Sequence, residues 1–429
     1  VRNILRGVPA GDAELPDVLQ KLPGILQEDL KSGNLAPETV ISAADRLSHS
    51  VRAVEVASLL KSSGMGEKQA FLTAERTLES LKRASLEEKL RRELGSTQPF
   101  AWTDTGNGIY EKYAPLGVLV HIAAGNAAGL PAVSVLEGLL AGNINLLKLP
   151  ADDGGLSALL LYKLVAAEPS LKPYIYVFDI PSSDTDDLKK IAACADAVAV
   201  WGSDAAVAAI RKNTPPNIPV IEWGHRLSFG YVTQKSESEA ALEGLAKDIC
   251  ETEQLLCSAP QCVFFEAEDR DGLMGFAGRF AKAMKNVCAG YPAVKPGMPV
   301  QAEITSALEL VRMEEILGEK ALLRGKDPDF GVLVDFKAAM KPSPMFRNVW
   351  VMPARRDGLF ELLRGSKGYL QTAGLCCAEE ERMELAELLV KAGVNRIMPP
   401  GEMSGGYMGE PHDGAYALTR YTRRISMKK

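Results

Sequence analysis

Five short apolar runs rich in β-branched residues, at 117–122, 144–149, 174–178, 197–201 and 218–221, recur along one stretch of the chain with helical segments between them. Apolar residues at consecutive positions, not only at alternate ones, mean a strand buried on both faces. Such strands alternating with helices form βαβ units, so the region from Leu116 to Val232 predicts a parallel sheet covered on both sides. Sheets of this kind take their ligands outside the carboxyl ends of the strands. The turns at those ends carry neither G-x-G-x-x-G nor G-x-x-x-x-G-K-S/T. A dinucleotide bound here therefore needs another arrangement.

On either side the pattern changes. Residues 1–95 are helical in pattern, with apolar residues at three- and four-residue spacing over 36–60 and 67–94. A solvated helical layer without chemistry is the expectation there. Residues 100–113 read as a short hairpin around 104–108. Beyond residue 232, helical segments at 237–253, 270–287, 302–317 and 378–392 alternate with strands near Val263, Val332, Val349 and Ile397, which predicts a second α/β domain. A Gly/Pro-rich loop at 398–406 sets off a last segment, 412–426, that alternates like an edge strand. It is expected to join another sheet, in this chain or in a neighbouring subunit.

Residues 116–136 lack Asp, Glu, Lys and Arg and imitate a membrane span, but Asn126, Pro131 and three glycines break them into strand, turn and helix. No span is expected. The 429 residues are enough for two or three domains. A net charge of −6, with no basic cluster interleaved with aromatics, argues against nucleic acid as a partner. Seven cysteines, an odd number without framework spacing, fit a reducing cytosol. The first residues lack the apolar core and cleavage site of a signal peptide, so a cytoplasmic protein is expected.

Cys257 closes a helical pattern and is followed by a small-residue turn and the strand-like run 262–265. A cysteine on irregular backbone is well placed as a nucleophile if its surroundings favour the thiolate, because an ordinary thiol is only a few per cent ionised at neutral pH. The competing reading is inert core, where most free cysteines sit. The strand ends of the first sheet offer further polar groups. Asn126 lies in the turn after the first run, and Lys148 falls at the end of the second. Gly202 and Ser203 follow the fourth, where a phosphate can rest on a helix N-terminus. Each of these also has a structural explanation as a turn, a strand end or a cap. Glu222 and Gly224 close the fifth run, and Glu222, 35 residues before Cys257, is an acid/base partner for it. A Cys–His hydrolase using His121, His225 or His412 is an alternative; no His, Cys and Asp grouping has zinc spacing, so no metal is expected.

The order of these residues carries more than any one of them. Pro115-Leu116-Gly117 leads into a strand, Asn126 follows, and Gly138 to Gly142-Asn143 precedes Leu147-Lys148; then come Gly202-Ser203, Glu222-x-Gly224, Cys257 and a closing Tyr421-Thr422-Arg423. This resembles the aldehyde dehydrogenase superfamily from roughly residue 100 onward. Cys257 to Gln261, Val394 to Ile397 and His412 to Gly414 resemble its acyl-CoA reductase branch, the LuxC family.

The resemblance implies an aldehyde-dehydrogenase-like α/β fold. A helical N-terminal layer and a parallel-sheet cofactor-binding domain would occupy 1–223, an α/β catalytic domain with the thiol nucleophile 224–401, and a tail over 402–429 would return to the cofactor domain or an oligomer interface. Cys257 would attack a fatty acyl thioester, carried on coenzyme A or on a protein, expel coenzyme A as leaving group and hold the acyl chain until hydride releases the aldehyde. Asn126 and the backbone amide of Cys257 would hold the oxyanion. Glu222 falls at the position of the superfamily's general base. In a reductase an activated water would hydrolyse the acyl-enzyme, so proton exchange with Cys257 or the product is the expected task, against a merely structural role. Lys148 would contact the adenosine ribose, and Gly202, Ser203 and Gly224 would line the cofactor. Ala151 stands where NAD-specific members often keep an acid, so NADPH is expected, although Asp152 and Asp153 follow. The glutamate that usually precedes Phe-Gly-Pro and holds the nicotinamide ribose has no counterpart; the nearest match is Pro344-Met345-Phe346-Arg347. A homo-oligomer and an acyltransferase or synthetase partner are also implied. The rival readings are the same chemistry on another acyl donor and a non-redox subunit that carries an acyl group on Cys257.

Overall fold

In the computed structural model, which describes residues 3–123, 125, 129–151, 153–324 and 329–429, the chain divides into two compact units, Val1–Gly224 with Tyr407–Lys429 and His225–Gly406. The first unit opens with two short strands, β1 (Asn3–Leu5) and β2 (Val8–Ala10), and then runs through helices α1 (Leu15–Ser32), α2 (Pro37–Ser50), α3 (Ala53–Ser62), α4 (Glu67–Ser80) and α5 (Arg83–Leu94). The expectation for residues 1–95 is thus corrected at two points. Residues 3–5 and 8–10 are strands, and each long helical pattern is two helices. Extended backbone at Arg52 and Lys82 makes the breaks. Neither break carries Gly or Pro, so a three- to four-residue apolar period runs across it unchanged.

Strands β3 (Thr103–Gly106) and β4 (Ile109–Pro115) form the expected hairpin, and the βαβ region follows: β5 (Val118–Ile122), α6 (Leu130–Leu140), β6 (Ile144–Lys148), α7 (Leu156–Ala167), β7 (Ile175–Phe178), α8 (Thr185–Ala193), β8 (Ala197–Trp201), α9 (Asp204–Asn213) and β9 (Val220–Trp223). The sheet runs β2-β1-β7-β6-β5-β8-β9. Strands β5 to β9 are parallel, while β1 adds antiparallel to β7. The chain leaves β5 toward β6 and later returns on its other side at β8, so the topological switch point lies between β5 and β8.

Several residues that carried the family resemblance have packing roles. Gly117 has φ +132, its N–H donates to Asn143 Oδ1 at 3.0 Å, and a Cβ there would overlap the Asp196 carboxylate, which accepts from the Val118 N–H at 2.7 Å. A Cβ on Gly138 would overlap Asn145, whose Oδ1 lies 2.9 Å from His121 Nε2. His121 is fully buried, with Nδ1 2.8 Å from Ser134 Oγ, and burial holds its imidazole down to about 4. It is a neutral core residue at pH 7, not a base facing substrate.

The second unit carries β10 (Leu227–Val232), α10 (Glu239–Cys250), β11 (Pro260–Phe265), α11 (Arg270–Cys288), α12 (Met298–Ile316), β12 (Lys320–Leu323), β13 (Gly331–Asp335), β14 (Asn348–Pro353), α13 (Arg356–Arg364), β15 (Leu370–Cys376), α14 (Glu379–Ala392) and β16 (Arg396–Met398). The sheet order is β12-β13-β14-β11-β10-β15-β16, parallel except where β12 meets β13. Alternate residues face two cores. Val263 and Phe265 join the cluster with α10 and α11, and Cys262 and Phe264 join the cluster with Leu308, Leu359 and Leu385 from α12, α13 and α14.

The last segment, α15 (Ala417–Arg420) and β17 (Thr422–Lys428), belongs to the first unit. Strand β17 pairs antiparallel with β4 along its whole length, giving a three-stranded sheet β17-β4-β3 within this chain. Tyr421, fully buried, accepts from Asn143 Nδ2 through its carbonyl at 2.9 Å and from Trp223 Nε1 through its hydroxyl at 3.1 Å.

Gly117→Ala tests this packing directly. The added Cβ strains a left-handed backbone and displaces the carboxylate that accepts from Val118, so unfolding in urea should show a loss of about 2–4 kcal/mol. Asn107, which adopts φ +55 as a non-glycine in an exposed turn, should tolerate substitution by Gly without loss.

Candidate active site

Helix α10 is capped by Ser238, whose Oγ accepts from the Ala241 N–H at 3.2 Å, and ends at Cys250. The next nine residues reach β11 without a regular hydrogen-bonded ladder, yet Glu251, Thr252, Glu253 and Gln254 are all buried. Buried polar groups outside regular structure require side-chain partners. Glu253 finds one in Arg347, which donates from Nε to Oε2 at 2.9 Å and from Nη2 to Oε1 at 2.5 Å, a bidentate pair. The remaining guanidinium protons reach the carbonyls of Tyr291 at 2.8 Å and Pro292 at 3.2 Å.

The backbone there is equally constrained. Glu253 and Gln254 have φ of +52 and +60, and Met345, Phe346 and Arg347 have φ of +63, +48 and +65. The Phe346 N–H donates to the Glu253 carbonyl at 3.0 Å, so the two left-handed segments are tied together. Non-glycine residues in this region persist only where their surroundings over-determine them. Gln254 supplies further ties, donating from Nε2 to the Pro260 carbonyl at 2.8 Å and to Ser343 Oγ at 3.1 Å. Gln261 Oε1 accepts from the Ser343 N–H at 3.1 Å and its hydroxyl at 2.8 Å. The segment 344–347 is thus a bracket for the cysteine loop, its arginine paired with Glu253 of that loop.

Cys257 sits in this bracket. Of the seven cysteines, all of which are described, it alone is exposed. Its sulfur accepts from Gln371 Nε2 at 3.2 Å, and its carbonyl accepts from Ser228 Oγ at 2.6 Å. Ser228 Oγ in turn accepts from the Thr372 N–H at 3.0 Å. Ser228 lies at the start of β10, Gln371 and Thr372 at the start of β15, and Cys257 three residues before β11. The thiol therefore stands at the amino-terminal edge of three adjacent parallel strands. Burial pushes the Cys262 thiol up to about 12 and the Cys376 thiol up to about 11, which leaves both inert at neutral pH.

In the first unit the carboxyl ends of the strands gather the other named residues. Lys148 ends β6, is buried, and donates from Nζ to Ser182 Oγ at 2.9 Å; burial pushes its ammonium down and the Asp179 carboxylate opposes this. Asp153 turns one oxygen into α7, accepting from the Ser157 N–H at 3.0 Å, and burial pushes its carboxyl up. Gly202 donates its N–H to the Trp223 carbonyl at 3.2 Å, and Ser203 caps α9 through the Ala206 N–H at 3.4 Å. These contacts bring Gly202, Ser203 and the end of β9 together, with Gly224 one residue past it. Glu222 is ion-paired through Oε1 with Arg211 of α9, and its carbonyl accepts from Arg420 at 3.0 Å. His412 packs on the rings of Trp201 and Trp223 at 5.0 and 5.2 Å, and His225 lies 6.4 Å from the Tyr369 ring. Asn126 and Asp152 lie outside the described residues.

Sequence reasoning named Cys257 but missed Ser228, Glu253, Arg347 and Gln371. A faint signal exists: Ser228, Gln371 and Thr372 are polar residues inside otherwise apolar strand runs. Hydropathy alone does not say whether such a residue pairs or catalyses.

Residues 38–424 match the family described as acyl-CoA reductase (LuxC). The chain is 24% identical over 332 residues to a long-chain acyl-protein thioester reductase of Aliivibrio fischeri, covering 76% of this chain and 67% of that protein. It is 22% identical over 386 residues to the protein of the same name from Photorhabdus luminescens, covering 89% and 78%. Among solved structures it is similar to the aldehyde dehydrogenase KauB of Pseudomonas aeruginosa, with a TM-score of 0.78, 18% identity, and 100% of this chain and 96% of that one covered. An indole-3-acetaldehyde dehydrogenase complexed with NAD+ gives a TM-score of 0.76 at 16% identity, with 100% and 96% covered. The fold is that of the aldehyde dehydrogenases.

Removing the guanidinium should show how firmly the cysteine loop is held. Arg347→Met leaves Glu253 buried without its partner and should destabilise the protein by about 3–5 kcal/mol in chemical denaturation, whereas Arg347→Met with Glu253→Gln should recover a large part of that loss.

Proposed function

Because the chain belongs to the acyl-CoA reductase (LuxC) family, we propose that it reduces a long-chain acyl thioester, carried on coenzyme A or on a protein, to the aldehyde, with Cys257 as the acyl-carrying nucleophile and NADPH as reductant. One observation carries this reading. The single exposed cysteine of the chain is clamped on both sides in sequence, and its sulfur already receives a hydrogen-bond donor. The relatives named as long-chain acyl-protein thioester reductases support the substrate class.

In the proposed reaction the Cys257 thiolate attacks the thioester carbonyl carbon. A new carbon–sulfur bond forms, the bond to the donor thiol breaks, and that thiol leaves with the electron pair and takes up a proton. Cys257 then carries the acyl group as a thioester. A reduced nicotinamide, which Lys148, Ser182 and the Gly202-Ser203 turn would hold, would supply the hydride that the acyl carbon needs. Cys257 finally leaves with the electron pair of its carbon–sulfur bond, releasing the aldehyde and restoring the thiolate. Asn126 is assigned the oxyanion, together with the backbone amide of Cys257.

The polar groups at the carboxyl edge of the first sheet fit a dinucleotide. Lys148 and Ser182 offer a cation and a hydroxyl, and the glycine at position 202 leaves backbone accessible ahead of the α9 cap. Ala151 in place of an acid removes a repulsion of a 2′-phosphate and Lys148 attracts it, which favours NADPH over NADH. Glu222 is engaged by Arg211, which suits a reductase, because a free carboxylate base would activate water against the acyl-enzyme. Its assigned task, proton exchange with the thiol or the product, requires the carboxylate to part from Arg211.

Two outcomes are expected in assays that follow oxidation of the reduced cofactor with long-chain acyl-CoA. Cys257→Ala should abolish turnover with the fold intact; turnover that survives removes the thiol mechanism. Lys148→Ala should raise KM for NADPH about tenfold or more while changing KM for NADH less. Equal or better use of NADH by the unaltered protein overturns the cofactor assignment.

A further inference from the structure

The Cys257 sulfur is touched by a side chain to which the reaction as proposed gives no part. Gln371 is almost fully buried at the start of β15, and its Nε2 lies 3.2 Å from Cys257 Sγ. The two residues are 114 positions apart and meet because β15 pairs with β10 beside β11. The NH2 end of the amide faces the sulfur, and its Oε1 is 3.5 Å from the Thr372 hydroxyl, which can donate to it. The same pair of strands fixes the Cys257 carbonyl, through Thr372 N–H to Ser228 Oγ and Ser228 Oγ to the carbonyl oxygen. Main chain and side chain of the cysteine are therefore both positioned by the first residues of β10 and β15.

We propose that Gln371 is a further catalytic residue, whose side-chain amide donates to the Cys257 sulfur and stabilises its negative charge both when the thiolate attacks the acyl donor and when it leaves the reduced acyl carbon. This rests on the reading of Cys257 as the acyl-carrying nucleophile. A donor on a thiol sulfur favours the charged form, since a thiolate accepts more strongly than a thiol. The same donor helps departure. When the carbon–sulfur bond of the reduced intermediate breaks, the sulfur takes the electron pair, carbon and oxygen become the aldehyde, and the amide proton remains on Gln371 throughout. No proton transfer is required of it.

The donor has opposite effects on the two factors that set thiol reactivity, and this makes the inference measurable. Moving the ionisation of a thiol by one pH unit changes the thiolate fraction about tenfold below its midpoint, while its intrinsic nucleophilicity changes about threefold in the other direction. Loss of the amide donor should therefore leave Cys257 about threefold slower toward a disulfide probe at pH 7 and about threefold faster at a pH where it is fully ionised. The two pH–rate curves should cross. A merely structural Gln371 gives no such crossing.

The experiment uses the full chain and a small aromatic disulfide, following release of its coloured thiolate from pH 6 to about 11. The Cys257→Ala protein gives the background from the other cysteines. Gln371→Leu removes the amide at similar size. Gln371→Asn keeps an amide but withdraws it from the sulfur, and it serves where the Leu protein fails to fold, as judged by circular dichroism. Crossing curves in either folded variant support the donor role. Superimposable curves, or curves lowered by one factor at every pH, overturn it. Turnover with acyl-CoA is read separately. Crossing curves in a protein that reduces no thioester keep the donor and remove the proposed reaction, whereas turnover with superimposable curves does the reverse.

Discussion

The buried pair between Glu253 and Arg347 is the contact on which the position of Cys257, the proposed nucleophile, depends. A buried ion pair adds little net stability, because taking two charges out of water offsets most of their attraction. Its effect here is geometric. The guanidinium places two parallel donors on the carboxylate and two more on neighbouring carbonyls, so the cysteine loop has one arrangement that leaves no charge unpaired. The left-handed turns at Glu253–Gln254 and Met345–Arg347 are unfavourable on their own and are held by this pairing.

The two units use their sheets in different ways. In the first, the polar groups Lys148, Ser203 and Glu222 gather at carboxyl ends of parallel strands. In the second, the exposed Cys257 thiol stands at amino-terminal ends, on the loop that enters β11. Its carbonyl and sulfur are held by side chains of β10 and β15, so the loop needs no ladder of its own. Strand β10 lies inside that sheet, with strands on both sides, and Ser228 is fully buried, which makes the anchor rigid.

Much of the architecture was legible because apolar strand runs and helical periods are local signals. All five runs between 116 and 232 became strands of one parallel sheet, displaced by no more than two residues at either end. The misses are non-local. The β1–β2 hairpin is three residues a strand and gains its place only by adding to β7. Strands β10 and β12 were not read as separate runs. The exposed place of Cys257 was legible because a turn of small residues between helix and strand is visible in the sequence. Gln371 was not, since its contact with the sulfur exists only once two strands pair, and one glutamine in an apolar strand looks the same whether it serves a thiol or a neighbour's backbone. Gly117, Gly138, Asn143 and Tyr421 were legible as motif residues, and the structure shows them at work in packing and hydrogen bonding inside the first unit.

Intact-mass spectrometry of the full chain with a long-chain acyl-CoA tests the proposed chemistry most directly. The protein should gain the mass of one acyl group, mapped to Cys257 by fragmentation, and addition of NADPH should remove that mass while aldehyde accumulates. An adduct on another residue, no adduct at all, or an adduct on Cys257 that reduced cofactor does not discharge contradicts a covalent reductase.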